Sequence, residues 1–279
     1  MASRSPLLNV MTAAALKAAK GLIRDFGELE QLQVSKKGPA DFVSRADRRA
    51  EDVLRAELSR ARPGYGLLME ESGTHSGTDT SNRWIVDPLD GTTNFLHGIP
   101  HFSISIALER DGEPFAGVIY SPIDDEMFVA ERGAGAFLNG RRLRVSARRR
   151  VDESLFATGV PFLGLPDHGL SVRQLRDVMA VSSGIRRYGS AALDLAWVAA
   201  GRYDGYWENG LNPWDIAAGI VLVREAGGQV SDLAGGRRMF FGDGILATNT
   251  LLHEDLMTLV RLTPAERQAA AAERQAAAS

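Results

Sequence analysis

The most informative local pattern in this sequence is the stretch Trp84-Ile85-Val86-Asp87-Pro88-Leu89-Asp90-Gly91-Thr92-Thr93-Asn94-Phe95. Its apolar start, residues 84–86, predicts a short buried strand. Gly91 permits a tight turn, and residues 92–94 are of the kinds that begin helices. The stretch therefore predicts a strand that ends in two carboxylates, Asp87 and Asp90, directly before the start of a helix.

Such an arrangement suits two ligands that bind together. Carboxylates coordinate hard divalent cations through oxygen, and the free N–H groups at a helix start bind phosphate. On this stretch alone, however, a purely structural role is favoured, because Asp-Pro and Asp-Gly are common turn dipeptides. Asp87 and Asp90 by themselves therefore leave a turn and a metal site as alternatives.

Two other carboxylates stand in similar places. Glu70 follows the apolar run Leu67-Leu68-Met69, and Asp215 lies at the start of an apolar helix, after Asn212-Pro213-Trp214. Taken singly, Glu70 fits a solvated loop and Asp215 fits a helix cap. Three acidic element ends in one chain favour a shared site over three separate structural roles.

Outward from this stretch, the first half of the chain predicts two helices and then antiparallel sheet. Apolar residues at helical spacing predict a helix over 7–26, and Ser44 opens a second one. The Gly-Pro pair within 35–41 predicts a loop between them. Alternating residues and the turn pair Asp111-Gly112 predict strands at 102–108, 115–120 and 127–130, and Asn139-Gly140 predicts a hairpin before Leu143 and Val145.

The second half alternates strands and helices, which is typical of α/β organisation. Strands are predicted at 154–159, 185–188, 203–207, 229–233 and 245–248, and helices at 169–181, 190–200, 214–226 and 250–262. We therefore expect an α+β half over residues 1–146 and an α/β half over 152–262. Residues 263–279 contain two copies of Ala-Glu-Arg-Gln-Ala-Ala-Ala and predict a helical or disordered tail.

Composition excludes several classes of function. The 279 residues are 44% hydrophobic and 24% charged, an ordinary globular balance. The chain has no cysteine, which excludes disulfides, thiolate zinc sites and cysteine nucleophiles. A net charge of −3 does not suggest nucleic-acid binding, and Arg148-Arg149-Arg150 fits a solvated linker. No apolar run is long enough to span a bilayer, so we predict a cytoplasmic protein without membrane contact.

Taken together, these segments resemble the inositol monophosphatase family of magnesium-dependent, lithium-sensitive phosphatases. The resemblance rests on the stretch 84–95, on Trp214-Asp-Ile-Ala-Ala-Gly219, and on Glu70-Glu71-Ser72, and it covers residues 5–262. It implies a layered αβαβα sandwich of the sugar-phosphatase type and a homodimer. It also implies that residues 1–146 bind metal and phosphate, and that 152–262 bind the rest of the substrate.

The resemblance implies a metal-binding role for each matching residue. Glu70, Asp87 and the Leu89 carbonyl are expected to hold one magnesium ion. Asp87, Asp90 and Asp215 are expected to hold a second, and a third, weaker ion is expected near Glu70. Two metals can clamp the attacking and leaving oxygens of an in-line displacement, so neither a histidine nor a covalent nucleophile is needed.

The remaining roles implied by the resemblance concern water and substrate. Asp41 is expected to pair with Thr92, and this pair and Glu70 to orient the attacking water. Gly91 and Thr92 are expected to bind phosphate through backbone N–H groups. The residues expected to meet the alcohol half of the substrate are Gly189, Ser190, Ala191, Glu208 and Asp90.

The predicted activity is hydrolysis of a phosphorylated polyol, by resemblance myo-inositol monophosphate, to the free alcohol and phosphate. Histidinol phosphate, fructose 1,6-bisphosphate and nucleotide 3′-phosphates are alternative substrates. An alternative of another class is a non-catalytic regulatory scaffold that kept the fold. Loss of a metal carboxylate would favour the scaffold, but Glu70, Asp87, Asp90 and Asp215 are all present.

Other motifs carry weaker hypotheses. An aspartyl-phosphate enzyme would need Asp-x-Asp, whereas the spacing here is Asp-x-x-Asp. Gly133-Ala-Gly135 lacks the third glycine and the helix of a dinucleotide site. His97 and His101 are four residues apart, a spacing that could bind a metal on a helix, but Gly98 and Pro100 between them forbid a regular helix. Lys36 and Lys37 fit a solvated loop, with a lid as the alternative.

Overall fold

The computed structural model describes residues 5–32, 39–161, 168–241, 244–261 and 263, and it leaves undescribed the side chains of residues 29–44 and 241. The predicted tail at 263–279 therefore lies outside the described residues, apart from Thr263. Lys36 and Lys37 lie outside them as well. Among the described residues, no helix combines the length and the apolar character that crossing a membrane requires.

The chain begins with two long helices, α1 (Pro6–Leu32) and α2 (Pro39–Ala61). Both differ from the prediction: α1 continues beyond residue 26, and α2 begins at Pro39 rather than at Ser44. The Gly-Pro pair suggested a loop, but proline is well tolerated in the first helical turn, where its missing N–H has no intrahelical partner. As a consequence, Asp41 lies in the first turn of α2.

The first sheet has eight strands within the described residues, in the order β2-β1-β3-β4-β5-β6-β7-β8. Only β1 and β3 pair in parallel there; the other neighbours are antiparallel. The strands are β1 (Tyr65–Met69), β2 (Gly73–His75), β3 (Asp79–Asp90), β4 (Ser103–Arg110), β5 (Glu113–Ser121), β6 (Glu126–Glu131), β7 (Gly135–Leu138) and β8 (Arg141–Arg142). A short helix, α3 (Thr92–Leu96), follows β3.

The two predicted turn pairs are confirmed. Asp111 and Gly112 have φ values of 51° and 77°, and Asn139 and Gly140 have 47° and 81°. Positive φ at both central residues is the geometry of a two-residue hairpin. These turns connect β4 to β5 and β7 to β8.

The second sheet has five strands within the described residues, in the order β10-β9-β11-β13-β12. Each predicted strand and helix of this half is present, with its ends shifted by a few residues. The strands are β9 (Leu155–Thr158), β10 (Gly184–Arg186), β11 (Gly205–Glu208), β12 (Gly228–Ser231) and β13 (Ile245–Asn249); the helices are α4 (His168–Met179), α5 (Ala191–Ala199), α6 (Pro213–Glu225) and α7 (His253–Val260).

These elements stack as a layered αβαβα sandwich, which confirms the predicted fold. Helices α1 and α2 pack on one face of the first sheet, and α5 and α6 pack on the other. Helices α5 and α6 also contact the second sheet, whose far face carries α4 and α7. One apolar cluster joins residues of both sheets around α5 and α6. The division of the chain at residues 146–152 stays a prediction.

Small residues of the Trp214–Gly219 motif allow α6 to approach its neighbours closely. A Cβ atom added at Gly219 would lie 2.5 Å from the side chain of Leu195 on α5. A Cβ atom added at Gly117 on β5 would lie 2.5 Å from the Ala218 carbonyl oxygen and 2.8 Å from its Cα. Ala218 and Gly219 of this motif therefore serve packing rather than chemistry.

Replacing Gly117 with Ala should destabilise the protein by about 1–3 kcal/mol, because the added methyl group meets the backbone of α6, which cannot rotate away. A matched control is Gly21→Ala in α1, where a Cβ atom meets nothing within 4 Å. This control should stabilise the chain by about 0.5–1 kcal/mol. Urea unfolding measures both values, and equal stabilities for the two variants would contradict the close packing of α6.

Candidate metal and phosphate site

The end of β3 places the two aspartates of the 84–95 stretch. The strand is longer than predicted, since it pairs with β1 on one side and β4 on the other. Its pairing with β4 breaks between Asp87 and Asp90, where the regular register is lost. Asp87 is buried, and its Oδ1 accepts a hydrogen bond of 2.9 Å from the Leu89 N–H. Both aspartates therefore lie at an irregular strand end.

The neighbouring strand β1 brings Glu70 to the same sheet edge. Because β1 runs parallel to β3, both strands end on the same side, and the Glu70 N–H donates to the Val86 carbonyl at 3.2 Å. The carboxyl groups of Glu70 and Asp87 lie close enough for each to affect the pKa of the other. Its Oε2 is buried and has no hydrogen-bond partner in the described part of the chain.

Helix α6 places Asp215 in its first turn. The Asp215 carboxylate accepts a hydrogen bond of 2.7 Å from the Asn212 N–H, as a helix-capping aspartate does. The start of the helix is tied to the first sheet, since the Ser105 hydroxyl donates to the Trp214 carbonyl at 3.2 Å. Asp215 therefore caps α6 and also lies near the other carboxylates.

The four carboxyl groups affect one another electrostatically. Burial, then the charges of Glu70, Asp90 and Asp215, raise the pKa of Asp87 well above its ordinary range. Burial raises the pKa of Glu70 to about 7 and that of Asp90 to about 6. Burial also raises the pKa of Asp215, with Asp90 and Glu70 adding to the effect. Like charges crowded in a buried place disfavour ionisation.

Helix α2 adds carboxylates that sequence reasoning missed. Asp47 is buried, its Oδ1 has no partner among the described residues, and burial together with Glu70, Glu71 and Glu51 raises its pKa to about 8. Glu51 accepts a hydrogen bond of 3.0 Å from the Glu71 N–H. A signal was available: Asp47 and Glu51 lie one turn apart on the stripe that continues into buried Leu54 and Leu58.

This set of donors fits a divalent cation. Its donors are oxygens, which divalent cations prefer. A bound cation would reduce the repulsion between the carboxylates and would give the unpartnered buried oxygens of Glu70 and Asp47 a partner. The part of the chain described here contains no group of three such side chains already arranged around one point. Asp87, Asp90 and Asp215 accept hydrogen bonds from protein N–H and hydroxyl donors.

Asp90 connects the first half of the chain to the second. Its carboxylate accepts hydrogen bonds from the Ser190 hydroxyl, the Ala191 N–H at 3.2 Å, the Ala192 N–H at 2.9 Å and the Ser103 hydroxyl at 3.3 Å. Asp90 thereby caps the start of α5. Of the predicted substrate residues, Ser190 and Ala191 contact Asp90 directly, and Gly189 precedes them with a φ of 82°.

Glu208 ends β11 and faces the same carboxylates. It accepts a hydrogen bond from the Tyr206 hydroxyl, and its carboxyl group packs against Gly159, where a Cβ atom would overlap it. Burial raises its pKa to about 7, the Asp90 charge adds to this, and Arg187 opposes it. Glu208 also contributes to the raised pKa of Asp215. Sequence reasoning did not identify Arg187.

The residues predicted to bind phosphate and orient water lie between these groups. Gly91 has a φ of 94° and precedes α3, and the Thr92 hydroxyl donates to the Leu89 carbonyl at 3.0 Å. The Leu89 carbonyl, a predicted metal ligand, is therefore next to Thr92. The side chain of Asp41 lies outside the described residues, so its pairing with Thr92 stays a prediction.

Comparison with known proteins agrees with this geometry. Residues 3–265 match the inositol monophosphatase family. The chain belongs to this family. It is 59% identical to an inositol-1-monophosphatase of Mesorhizobium japonicum, over 93% of this chain and 97% of that protein. It is 43% identical to the Nus factor SuhB of Pseudomonas aeruginosa, over 92% of this chain and 96% of that protein.

A solved structure has the same fold. The extragenic suppressor protein SuhB of Bartonella henselae is 58% identical, with a TM-score of 0.85, and the match covers 92% of this chain and 98% of that one. Membership of the inositol monophosphatase family confirms the prediction of a phosphoric monoester hydrolase. This family is generally metal-dependent, in agreement with the donor set described above.

Proposed function

We propose that this protein hydrolyses myo-inositol monophosphate to inositol and phosphate with the help of magnesium. The observation that carries the proposal is a group of carboxylates at the ends of three elements: Asp87 and Asp90, both buried, at the end of β3, and Glu70 after β1 and Asp215 at the start of α6, both half-buried. The 59% identity to an inositol-1-monophosphatase supports inositol monophosphate as the substrate.

The proposed cofactor is Mg²⁺, with two or three ions per site. Glu70, Asp87, Asp215, Asp90 and the Leu89 carbonyl are the residues that would hold it, since their oxygens are the ligands that magnesium prefers. When bound, divalent ions polarise the phosphoryl oxygens and lower the pKa of water from 15.7 toward about 7. With a cation bound beside it, Glu70 would be ionised, so its carboxylate could accept a hydrogen bond from the attacking water and help to orient it.

The chain's own groups would position the substrate on either side of these carboxylates. The N–H groups of Gly91 and Thr92 are proposed to hold the phosphate, and the Thr92 hydroxyl, with Asp41, to orient water. Gly189, Ser190, Ala191 and Glu208 are proposed to meet the polyol. Since Ser190 and Ala191 already donate to Asp90, we propose that they act mainly by fixing the Asp90 carboxylate beside the substrate hydroxyls.

Replacing Glu208 with Gln tests both the reaction and its substrate. A carboxylate that accepts hydrogen bonds from polyol hydroxyls is worth more than an amide there. We expect the variant to lose about 10–100-fold in kcat/KM for inositol monophosphate, mostly through KM. Turnover of para-nitrophenyl phosphate, which has no polyol, should stay near the wild-type value.

A phosphate-release screen completes the test, with inositol, histidinol, fructose and adenosine phosphates as substrates. Wild-type preference for inositol monophosphate is the predicted result. An equal loss on para-nitrophenyl phosphate in Glu208→Gln would remove Glu208 from substrate recognition. A clear preference for another phosphate in the screen would identify that compound, rather than inositol monophosphate, as the substrate.

A regulatory scaffold is the second candidate, and the likeness to the Nus factor SuhB of Pseudomonas aeruginosa is the observation in its favour. The complete carboxylate set argues for catalysis, since a scaffold would not need unpartnered buried oxygens on Glu70 and Asp47. Absence of turnover of every substrate in the screen at saturating magnesium would favour the scaffold.

A homodimer is proposed, in keeping with the family resemblance. Ile99, Ile123 and Tyr188 are large apolar side chains that are 47%, 38% and 43% exposed, and the Tyr188 ring lies 5.1 Å from that of His101. Light scattering should give the mass of two chains for the wild type and of one for Ile123→Glu. Val172→Glu, at an exposed position of α4, should remain dimeric, and an unchanged mass for both variants would reject this surface. The cytoplasmic location stays a prediction.

A further inference from the structure

A cavity lies at the opposite end of α6 from Asp215. Arg224 stands nine residues after Asp215, which places it about 14 Å farther along the helix axis. The cavity has a volume of about 730 Å³, within the range of small-ligand sites. Its lining combines charged side chains with glycines and short polar residues: Glu113, Arg132, Arg224, Gly228, Gln229, Val230, Ser231, Gly235, Gly236, Arg237 and Thr250.

Three arginines face a single carboxylate in this cavity. Arg224 is the most enclosed, with 34% of its side chain exposed, and its Nη1 lies 3.8 Å from Glu113 Oε2, beyond hydrogen-bonding distance. Arg132 donates to the Pro114 carbonyl at 3.0 Å. In the described ranges, Arg237 makes no hydrogen bond or ion pair. The cavity lining therefore carries a net charge of +2 (three arginines less one glutamate).

The nearest other carboxylates are already engaged by backbone donors. Glu225 accepts hydrogen bonds from the N–H groups of Gly133 at 2.9 Å and Gly135 at 2.8 Å. Asp232 is buried and accepts from three N–H groups of the loop that carries Arg237, those of Ala234, Gly236 and Arg238. These bonds hold the walls of the cavity in place and direct oxygens of Glu225 and Asp232 at backbone N–H groups.

A structural role accounts for only one of the three arginines. Arg224 lies in the last turn of α6, where a cation interacts favourably with the helix dipole. Arg132 follows β6 and Arg237 follows β12, so neither serves that helix end. Burial lowers the pKa of Arg224, and Arg237 and Arg132 lower it further. Three elements thus bring together positive charges that repel one another.

We propose that this cavity binds a phosphate dianion, either inorganic phosphate or the phosphate group of a small phosphomonoester. Guanidinium groups match phosphate oxygens in pairs, which makes arginine the preferred residue for this anion. A doubly charged anion balances the net charge of +2. The site is separate from the carboxylate cluster in position and opposite to it in charge, and it does not depend on the proposed catalytic activity.

The opposite charges of the two sites provide the test. In EDTA the carboxylate cluster holds no cation and repels phosphate, so titration calorimetry of inorganic phosphate into the metal-free full-length protein reports on the arginine cavity. We expect saturable binding of one phosphate per chain. Arg237→Gln should weaken it by about tenfold, and the double variant R224Q/R237Q by more.

Controls separate this site from general charge effects. Arg149→Gln removes an exposed arginine outside the cavity and should leave the affinity unchanged at constant ionic strength. Arg237→Gln changes an exposed side chain that makes no hydrogen bond or ion pair within the described residues, so it should fold even if the double variant does not. Glycerol 2-phosphate, titrated in the same way, distinguishes the two sources: tighter binding than phosphate identifies a phosphomonoester as the occupant, and weaker binding identifies inorganic phosphate.

Two results would overturn the proposal. One is the absence of saturable binding of both inorganic phosphate and glycerol 2-phosphate to the metal-free wild type. The other is binding that Arg237→Gln and Arg149→Gln weaken equally. In contrast, failure of the proposed phosphatase activity would leave these titrations unchanged, since they are made without metal or turnover.

Discussion

Replacing Asp87 with Asn should reduce kcat/KM by at least about a thousandfold, equivalent to about 4 kcal/mol, and at the same time stabilise the metal-free protein. Both effects have one cause. Asp87 is 2% exposed, and burial and the charges of Glu70, Asp90 and Asp215 disfavour its ionised form. An asparagine keeps the shape and can still accept the Leu89 N–H, but it removes the negative charge that would bind the proposed magnesium.

Phosphate release from inositol monophosphate measures the first effect, and thermal unfolding in EDTA measures the second. Asp255→Asn is a matched control, because Asp255 is an exposed aspartate on α7; its activity should stay at the wild-type level. An Asp87→Asn variant that keeps full activity, or one that is less stable than the wild type in EDTA, would contradict the role of this carboxylate.

Magnesium should stabilise the wild-type protein far more at about pH 8 than at about pH 5. In the folded, metal-free chain, the pKa of Glu70 is raised from its ordinary value of 4.5 to about 7, and that of Asp90 from 3.8 to about 6. Between the ordinary and the raised pKa, the unfolded state has lost these protons and the folded state keeps them. Stability of the metal-free protein therefore falls as pH rises through this window, and above it the full penalty remains.

A bound divalent cation reverses this penalty, because it favours the ionised carboxylates and binds only the folded state. The shift of the melting temperature on adding magnesium should thus grow from about pH 5 to about pH 8. Differential scanning calorimetry with and without EDTA measures it. Asp87→Asn should reduce the shift strongly, whereas Asp255→Asn should not. A shift that is absent, or that is independent of pH, would argue against a cation at these carboxylates.

The parts of the site that the sequence predicts well are those set by local motifs. Asp87 and Asp90 follow a buried apolar run, and Glu70 and Asp215 stand at the ends of other apolar elements. The position of each carboxylate at the end of its strand or helix can therefore be predicted from the neighbouring residues in the sequence. The hairpins at Asp111-Gly112 and Asn139-Gly140 were equally predictable, since the turn geometry resides in the two residues concerned.

The parts that local patterns could not give depend on distant partners. The length of β3 is set by β1 and β4 on its two sides. The connection of Asp90 to Ser190, Ala191 and Ala192 joins residues about a hundred positions apart. Helical spacing identifies the buried face of α2 by its apolar residues. In the sequence alone, an acidic pair such as Asp47 and Glu51 has the same pattern as a solvent-exposed helix face, so their burial was not predicted.

We propose that hydrolysis of inositol monophosphate requires a metal held by these carboxylates. The most direct test is the rate of phosphate release from myo-inositol monophosphate by the wild-type protein, first with magnesium, then after EDTA, then after magnesium is restored. Turnover should disappear in EDTA and return when magnesium is restored. Turnover that continues undiminished in EDTA, or no turnover with saturating magnesium, would contradict it.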